Sequence, residues 1–295
     1  MRSSLSLNHR HQSTRSPLRR ISIRAAIIGA VGVLLLAFTP AAALAEDESL
    51  QYVALGDSYS SGVGAGSYLH DSGLCFRSEN AHPVFYTESI GAELHFQACG
   101  GATISDVLDI QIDALNEDTD LVSLGIGGND TGWVGVLLTC ALPLSLTCWQ
   151  EIDDAEDYVV NQMPDELDAL YSQVSETAPN AEIVITGYPL LFSGVQCQLL
   201  VNINPDEQER LNEATHTLND TIAGVAAEHG FEFADVRDNF DGHAVCDDEE
   251  YLHGLTGPLV IESFHPNLEG QQQGYLPALE DAVSAEVSSE TELKE

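Results

Sequence analysis

Basic side chains are nearly missing from this chain beyond residue 45. The sequence holds 10 Lys and Arg against 47 Asp and Glu in 295 residues. Arg2, Arg10, Arg15, Arg19, Arg20 and Arg24 account for six of the ten, in a stretch with no acidic residue. Residues 46–295 keep Arg77, Arg210, Arg237 and Lys294 against all 47 acids, a formal charge of −43. So negative a body excludes nucleic acid and anionic membrane surfaces as partners. Its carboxylates repel one another at low ionic strength and are screened at high, where the Debye length falls to about 3 Å at 1 M salt. Adaptation to a saline medium is therefore expected, with plain solubility or divalent-cation binding as alternatives.

Other absences narrow the class further. There is no C-x-x-C pair and no Cys/His cluster, which argues against zinc. No linker, repeat or low-complexity block interrupts residues 46–283, so one α/β domain with a full core is expected. The apolar run Ala25 to Phe38 is too short for a comfortable membrane span. It lies between the basic stretch and a small-x-small site, Ala43-Leu44-Ala45, followed at once by Glu46-Asp47-Glu48. That order predicts a secretory signal peptide over residues 1–45, cleaved after Ala45; an uncleaved anchor is the alternative. Arg19-Arg20 leaves twin-arginine export open beside the general route. A secreted, extracellular protein with no stable membrane anchor follows. Residues 284–295 are acidic and serine-rich without an apolar stripe, and are expected to form a flexible tail.

Six cysteines are present: Cys75, Cys99, Cys140, Cys148, Cys197 and Cys246. An even count in an exported chain implies disulfides. About fifteen pairings exist for six cysteines, and the sequential one, Cys75–Cys99, Cys140–Cys148 and Cys197–Cys246, is the simplest.

Short apolar runs mark five strands: Gln51 to Leu55, Glu93 to Ala98, Asp120 to Ile126, Ala181 to Thr186 and Gly230 to Ala234. Between them, apolar residues recur at helical spacing: Ile104, Val107, Leu108 and Ile112; Leu167, Leu170 and Val174; Leu211, Leu218, Ile222 and Val225. Pro205-Asp206-Glu207 opens the last of these with proline and acids at its positive end. Strands alternating with helices predict a parallel sheet covered on both faces, with chemistry beyond the carboxyl ends of the strands.

Four short blocks fall at those ends or near the C-terminus. Gly56-Asp57-Ser58 follows the first strand, where glycines allow a sharp turn that exposes a hydroxyl. The G-x-S-x-G elbow of the common α/β-hydrolases is absent. Gly100-Gly101-Ala102-Thr103 follows the second strand and offers an unobstructed N–H, or simply a helix entry capped by Thr103. Gly127-Gly128-Asn129-Asp130 follows the third; the Asn129 amide is a donor, or the turn is merely tight. Glu262-Ser263-Phe264-His265-Pro266 supplies a base, with Glu262 three residues away to orient it. A nucleophile (Ser58), oxyanion donors (the N–H groups of Ser58 and Gly101, and Asn129) and a base (His265) are the parts that acyl transfer to water requires. Asp57 and Asp130 read as structural.

Taken together, these blocks resemble the SGNH (GDSL-type) hydrolases, in particular secreted actinobacterial esterases and lipases. The resemblance runs from Gln51 to Pro277. It includes Gly-Asp-Ser-Tyr-Ser-Ser-Gly (56–62), Cys-x-Arg-Ser (75–78), Ala-Cys-x-Gly-Ala-Thr (98–103) and Ser-Phe-His-Pro (263–266). It implies an α/β/α sandwich around a mostly parallel five-stranded, flavodoxin-like sheet over residues 46–283. It also implies catalytic Ser58 and His265, an oxyanion hole of Ser58, Gly101 and Asn129, and six cysteines paired in sequence. One position departs from the family: its third triad member is usually Asp, and here it is Glu262. Either that carboxylate or a main-chain carbonyl orients His265.

The implied activity is a secreted lipase or carboxylesterase that needs no metal or organic cofactor, works as a monomer and takes a small-molecule or lipid ester. The apolar stretch Trp133 to Trp149 and the long connection Pro189 to Ile203 either wall the site, favouring medium to long acyl chains, or serve only as connectors. Phospholipase or carbohydrate-polymer esterase activity on the same fold, and a non-catalytic secreted binding module, are the alternatives.

Overall fold

The computed structural model describes residues 49–142, 145–197, 202–256 and 260–292. The expected signal peptide, residues 1–45, lies outside the described residues. Five short strands, β1 (Gln51–Gly56), β2 (Glu93–Phe96), β3 (Leu121–Gly125), β4 (Glu182–Thr186) and β5 (Glu232–Ala234), form one sheet in the order β2-β1-β3-β4-β5. Every pairing in it is parallel. A parallel sheet covered on both faces buries alternate residues of one strand in two different cores, which is why these strands lack a polar alternation. Tyr52, Ala54 and Val184 enter one core; Val53, Leu55, Ile183 and Ile185 enter the other.

Among the described residues eight α-helices surround the sheet: α1 (Ser58–Ser61), α2 (His82–Ile90), α3 (Ile104–Asp109), α4 (Trp133–Cys140), α5 (Cys148–Asn161), α6 (Met163–Thr177), α7 (Pro205–Glu228) and α8 (Leu276–Glu292). Tyr86 of α2 and Leu279 of α8 pack into the first core, while Val107 of α3, Leu167 of α6 and Ile222 of α7 pack into the second. The result is a three-layer α/β/α sandwich. Two helix starts follow their sequence signals. Thr103 and Asp106 form a capping box on α3, and Asn204 and Glu207 form one on α7, with Pro205 in the first turn. The apolar stripe that ends at Ile112 does not make one helix; α3 stops at Asp109 and a 3-10 turn, Gln111–Ala114, follows.

The C-terminal expectation needs correction. Residues from Ser284 do not leave the fold as a loose tail but continue α8 to Glu292. Leu279 and Ala282 anchor the preceding turns, and once a helix is nucleated, extending it through residues such as Ala285 and Glu286 is inexpensive.

Three disulfides are formed: Cys75–Cys99, Cys140–Cys148 and Cys197–Cys246. The first ties the loop before α2 to the end of β2, and the second joins the last residue of α4 to the first of α5. Arg210 on α7 pairs with Asp153 and Glu156 on α5, and Arg237 holds Asp220 and Asp235 at 3.0 and 2.5 Å. No helix among the described residues is long and apolar enough to cross a membrane.

Candidate active site

β1 ends at Gly56, whose φ is +128°. A Cβ there would lie 2.4 Å from the Gly125 carbonyl oxygen, so only glycine lets β1 and β3 approach this closely before the turn. The Gln111 side chain holds the same residue from the other side: its Oε1 accepts the Gly56 N–H (2.7 Å) and its Nε2 donates to the Gly56 carbonyl (2.9 Å). Asp57 then caps α1 by accepting the Tyr59 N–H (2.9 Å), and Ser58 is the first residue of that helix.

The other Asp57 oxygen accepts the Tyr188 hydroxyl (2.6 Å), which itself accepts the Gly128 N–H (3.0 Å). Tyr188, just past β4, thus joins the turn after β1 to the turn after β3. Burial pushes the Asp57 carboxyl up to about 6. Its role is the structural one the sequence suggests.

His265 reaches Ser58 from a loop held at three points. Phe264 has φ +61°. Its N–H donates to the His253 carbonyl (2.9 Å), the His253 N–H donates to the His265 carbonyl (2.9 Å), and the Tyr59 hydroxyl donates to the Phe264 carbonyl (2.6 Å). His265 Nε2 lies 2.7 Å from Ser58 Oγ, and Nδ1 lies 3.0 Å from the Ser263 carbonyl oxygen. A carbonyl only accepts, so Nδ1 carries the proton and Nε2 is the free base facing the hydroxyl. Burial pulls the imidazole pKa down to about 4; the Ser263 carbonyl opposes that shift and the nearby His253 adds to it.

The structure does not bring Glu262 to His265. Its carboxylate accepts the Tyr68 hydroxyl (2.7 Å), and Tyr68 accepts the Gly64 N–H (2.9 Å). Glu262 ends a 3-10 turn, Val260–Glu262, and the left-handed Phe264 reverses the chain before His265. The two side chains therefore leave the backbone in different directions, and the main-chain acceptor takes the orienting position.

The oxyanion donors come from the next two strand ends. Gly100 N–H donates to the Cys75 carbonyl (2.9 Å) and Ala102 N–H to the Cys99 carbonyl (3.0 Å), which fixes Gly101 between them at φ +81°. The N–H groups of Gly101 and Ser58 donate to no acceptor among the described residues. Asn129 Nδ2 donates one hydrogen to the Ala102 carbonyl (2.9 Å), which leaves its second for the cleft. Asp130 accepts the Ile104 N–H (3.0 Å) and locks the same two turns together; burial pushes its carboxyl up to about 6.

Ser58, Gly101, Asn129 and His265 line one cleft, beyond the carboxyl ends of β1, β2 and β3 and at the point where the strand order reverses. Ser58 is 8% and His265 9% exposed. The cleft walls are apolar. Trp133, Val134, Leu137 and Leu138 of α4 contribute, as do Pro189, Leu191 and Phe264. Both stretches that the sequence marked as wall or connector thus reach the site, whereas Leu142, Leu146 and Trp149 face outward. Sequence reasoning missed Tyr188 and Gln111, whose partners are 131 and 55 residues away. No group of three or more His, Cys, Asp or Glu among the described residues is arranged to hold a metal.

Comparison with known proteins agrees with this geometry. Residues 54–273 match the model of the GDSL-like Lipase/Acylhydrolase family. Lipase 1 of Streptomyces coelicolor is 41% identical over 267 residues, covering 90% of this chain and 98% of that protein. The crystal structure of the extracellular lipase from Streptomyces rimosus superposes with a TM-score of 0.75 at 41% identity, over 79% of this chain and 100% of that one. Phospholipase A1 from Streptomyces albidoflavus gives 0.76 at 40% identity, over 79% and 99%. The chain belongs to the GDSL-like lipase/acylhydrolase family and is a serine ester hydrolase.

Proposed function

We propose that this protein is an exported lipase that cleaves medium- to long-chain acyl esters through an acyl-enzyme on Ser58. The observation that carries the reading is the 2.7 Å contact between His265 Nε2 and Ser58 Oγ, at the floor of an apolar cleft. His265 takes the Ser58 proton as Oγ attacks the ester carbonyl carbon. The negative charge that develops on the carbonyl oxygen meets the N–H groups of Ser58 and Gly101 and the free amide hydrogen of Asn129. The tetrahedral adduct collapses, the C–O bond to the alcohol breaks, and His265 Nε2 returns the proton to the leaving oxygen. Water, deprotonated by the same nitrogen, then attacks the acyl-enzyme and releases the acid and Ser58. The Ser263 carbonyl keeps Nδ1 protonated throughout and disperses the charge of the transient imidazolium.

The apolar face of α4 together with Leu191 and Phe264 supports an acyl chain in the cleft. Export is supported by the basic, apolar, small-x-small order of residues 1–45 and by the disulfides, which persist in oxidising compartments. The test is a p-nitrophenyl ester series from acetate to palmitate. The kcat/KM should rise beyond butyrate, and Ser58→Ala should remove turnover across the series. A maximum at acetate would contradict the acyl-chain reading, and turnover by Ser58→Ala would contradict the mechanism.

A further inference from the structure

In a chain so poor in cations, where each cation sits carries information. Arg210 and Arg237 are each tied to at least two carboxylates. Arg77, from the Cys-x-Arg-Ser run, makes no ion pair and no side-chain hydrogen bond among the described residues, although it is half-buried. It lines an open cavity of about 310 Å³ together with Gln97, Gly100, Gly101 and Asp106. Asp106 is the one carboxylate on that lining, and it is occupied by the Thr103 N–H (2.9 Å) and hydroxyl (2.7 Å). The Gln97 amide has no protein partner among the described residues.

Gly100 and Gly101 also line the cleft that holds Ser58, so the two spaces meet at the proposed oxyanion donor. The cleft is apolar and suits an acyl chain. The adjoining cavity is polar and carries an unspent guanidinium, whose forked N–H groups match the oxygens of a phosphate. Elsewhere this surface repels anions. An unpaired, half-buried arginine beside the reacting centre is the local exception, and its backbone is fixed where the Cys75 carbonyl accepts the Gly100 N–H.

We infer that Arg77 forms an anion subsite that holds the phosphate of an ester substrate, so that the enzyme accepts glycerophospholipids with the acyl chain in the cleft and the phosphate in the cavity. The inference rests on the Ser58 acyl-enzyme reading above and extends it to the alcohol side of the substrate. No new chemical step is required: the bond broken is still the acyl ester.

The experiment compares dihexanoylphosphatidylcholine, kept below its micelle threshold, with 1,2-dihexanoylglycerol, which has the same acyl esters and no phosphate. The parent enzyme, Arg77→Gln and Arg77→Lys are assayed on both. Loss of one charged contact predicts that Arg77→Gln lowers kcat/KM for the phospholipid about 10–100-fold, mostly through KM, with a much smaller change for the diacylglycerol. Arg77→Lys should recover part of the loss. An equal loss on both substrates, or none on either, would overturn the subsite. Inorganic phosphate is tested as an inhibitor of p-nitrophenyl butyrate hydrolysis. Inhibition that Arg77→Gln removes, with the phospholipid preference intact, would mean a free-phosphate site and would overturn the headgroup assignment. Ser58→Ala on p-nitrophenyl butyrate separates the two readings: turnover there sinks the mechanism, whereas the substrate ratio judges Arg77 alone.

Discussion

His265 has two hydrogen-bond partners, and each determines a measurable property. Because the Ser263 carbonyl holds Nδ1 at 3.0 Å, removing the charge of Glu262 should leave the tautomer intact. Glu262→Gln is therefore expected to lower kcat by about tenfold or less, against the roughly 10⁴-fold loss that follows when an orienting carboxylate is removed from a serine triad. A loss of several orders of magnitude would mean that Glu262 swings to His265 during turnover. Burial of the imidazole gives a second expectation. Its pKa is depressed from 6.5 to about 4, so the free base is fully present above that value and is lost as pH falls through it. The acid limb of kcat/KM should lie near pH 4 to 5. A limb at the ordinary histidine value, about 6.5, would contradict the buried, carbonyl-bound geometry. Asp57 and Asp130 titrate nearer 6, but neither faces the reacting atoms.

At the scale of elements, the strand ends place the chemistry and the disulfides steady them. The Cys75–Cys99 bridge and the Gly100 N–H bond to the Cys75 carbonyl together fix the turn that presents Gly101. Replacing both Cys75 and Cys99 with Ala should lower kcat more than KM, because a displaced donor weakens transition-state binding. By the loop-entropy estimate it should also remove about 3 kcal/mol of stability. Unchanged kcat with lower stability would reduce the bridge to a structural staple.

Much of this layer was legible beforehand. Each strand is a short apolar run stopped by a turn residue, and the blocks holding Ser58, Gly101 and Asn129 follow such stops directly. The contacts from Tyr188 to Asp57 and from Gln111 to Gly56 were not legible, because long-range side-chain pairing leaves no local pattern. α5 was hidden by its many acids, which obscure the Ile152, Ala155 and Val159 stripe that it buries. The Glu262 reading failed for a geometric reason. Spacing of three suggests a shared face only if the backbone between is regular, and here Phe264 takes positive φ.

The molecule as a whole carries −43 over residues 46–295, and its arginine ion pairs gather only a few of those carboxylates. Mutual repulsion raises the energy of the compact state more than that of the expanded chain, and counter-ions relieve it. The melting temperature should rise between about 0.05 M and 1–2 M NaCl, most steeply at the low end if screening is the cause, with KCl similar. A flat or falling curve would refute adaptation to a saline medium and leave the esterase chemistry untouched.

That chemistry has one direct test. The enzyme is treated with a p-nitrophenyl alkylphosphonate, which phosphonylates an activated serine, and analysed by intact mass and peptide mapping. The account predicts one adduct per chain, on the peptide containing Ser58, rising in step with loss of ester hydrolysis and absent from Ser58→Ala. Inactivation with the label on another residue, or full labelling of Ser58 with activity retained, would contradict it.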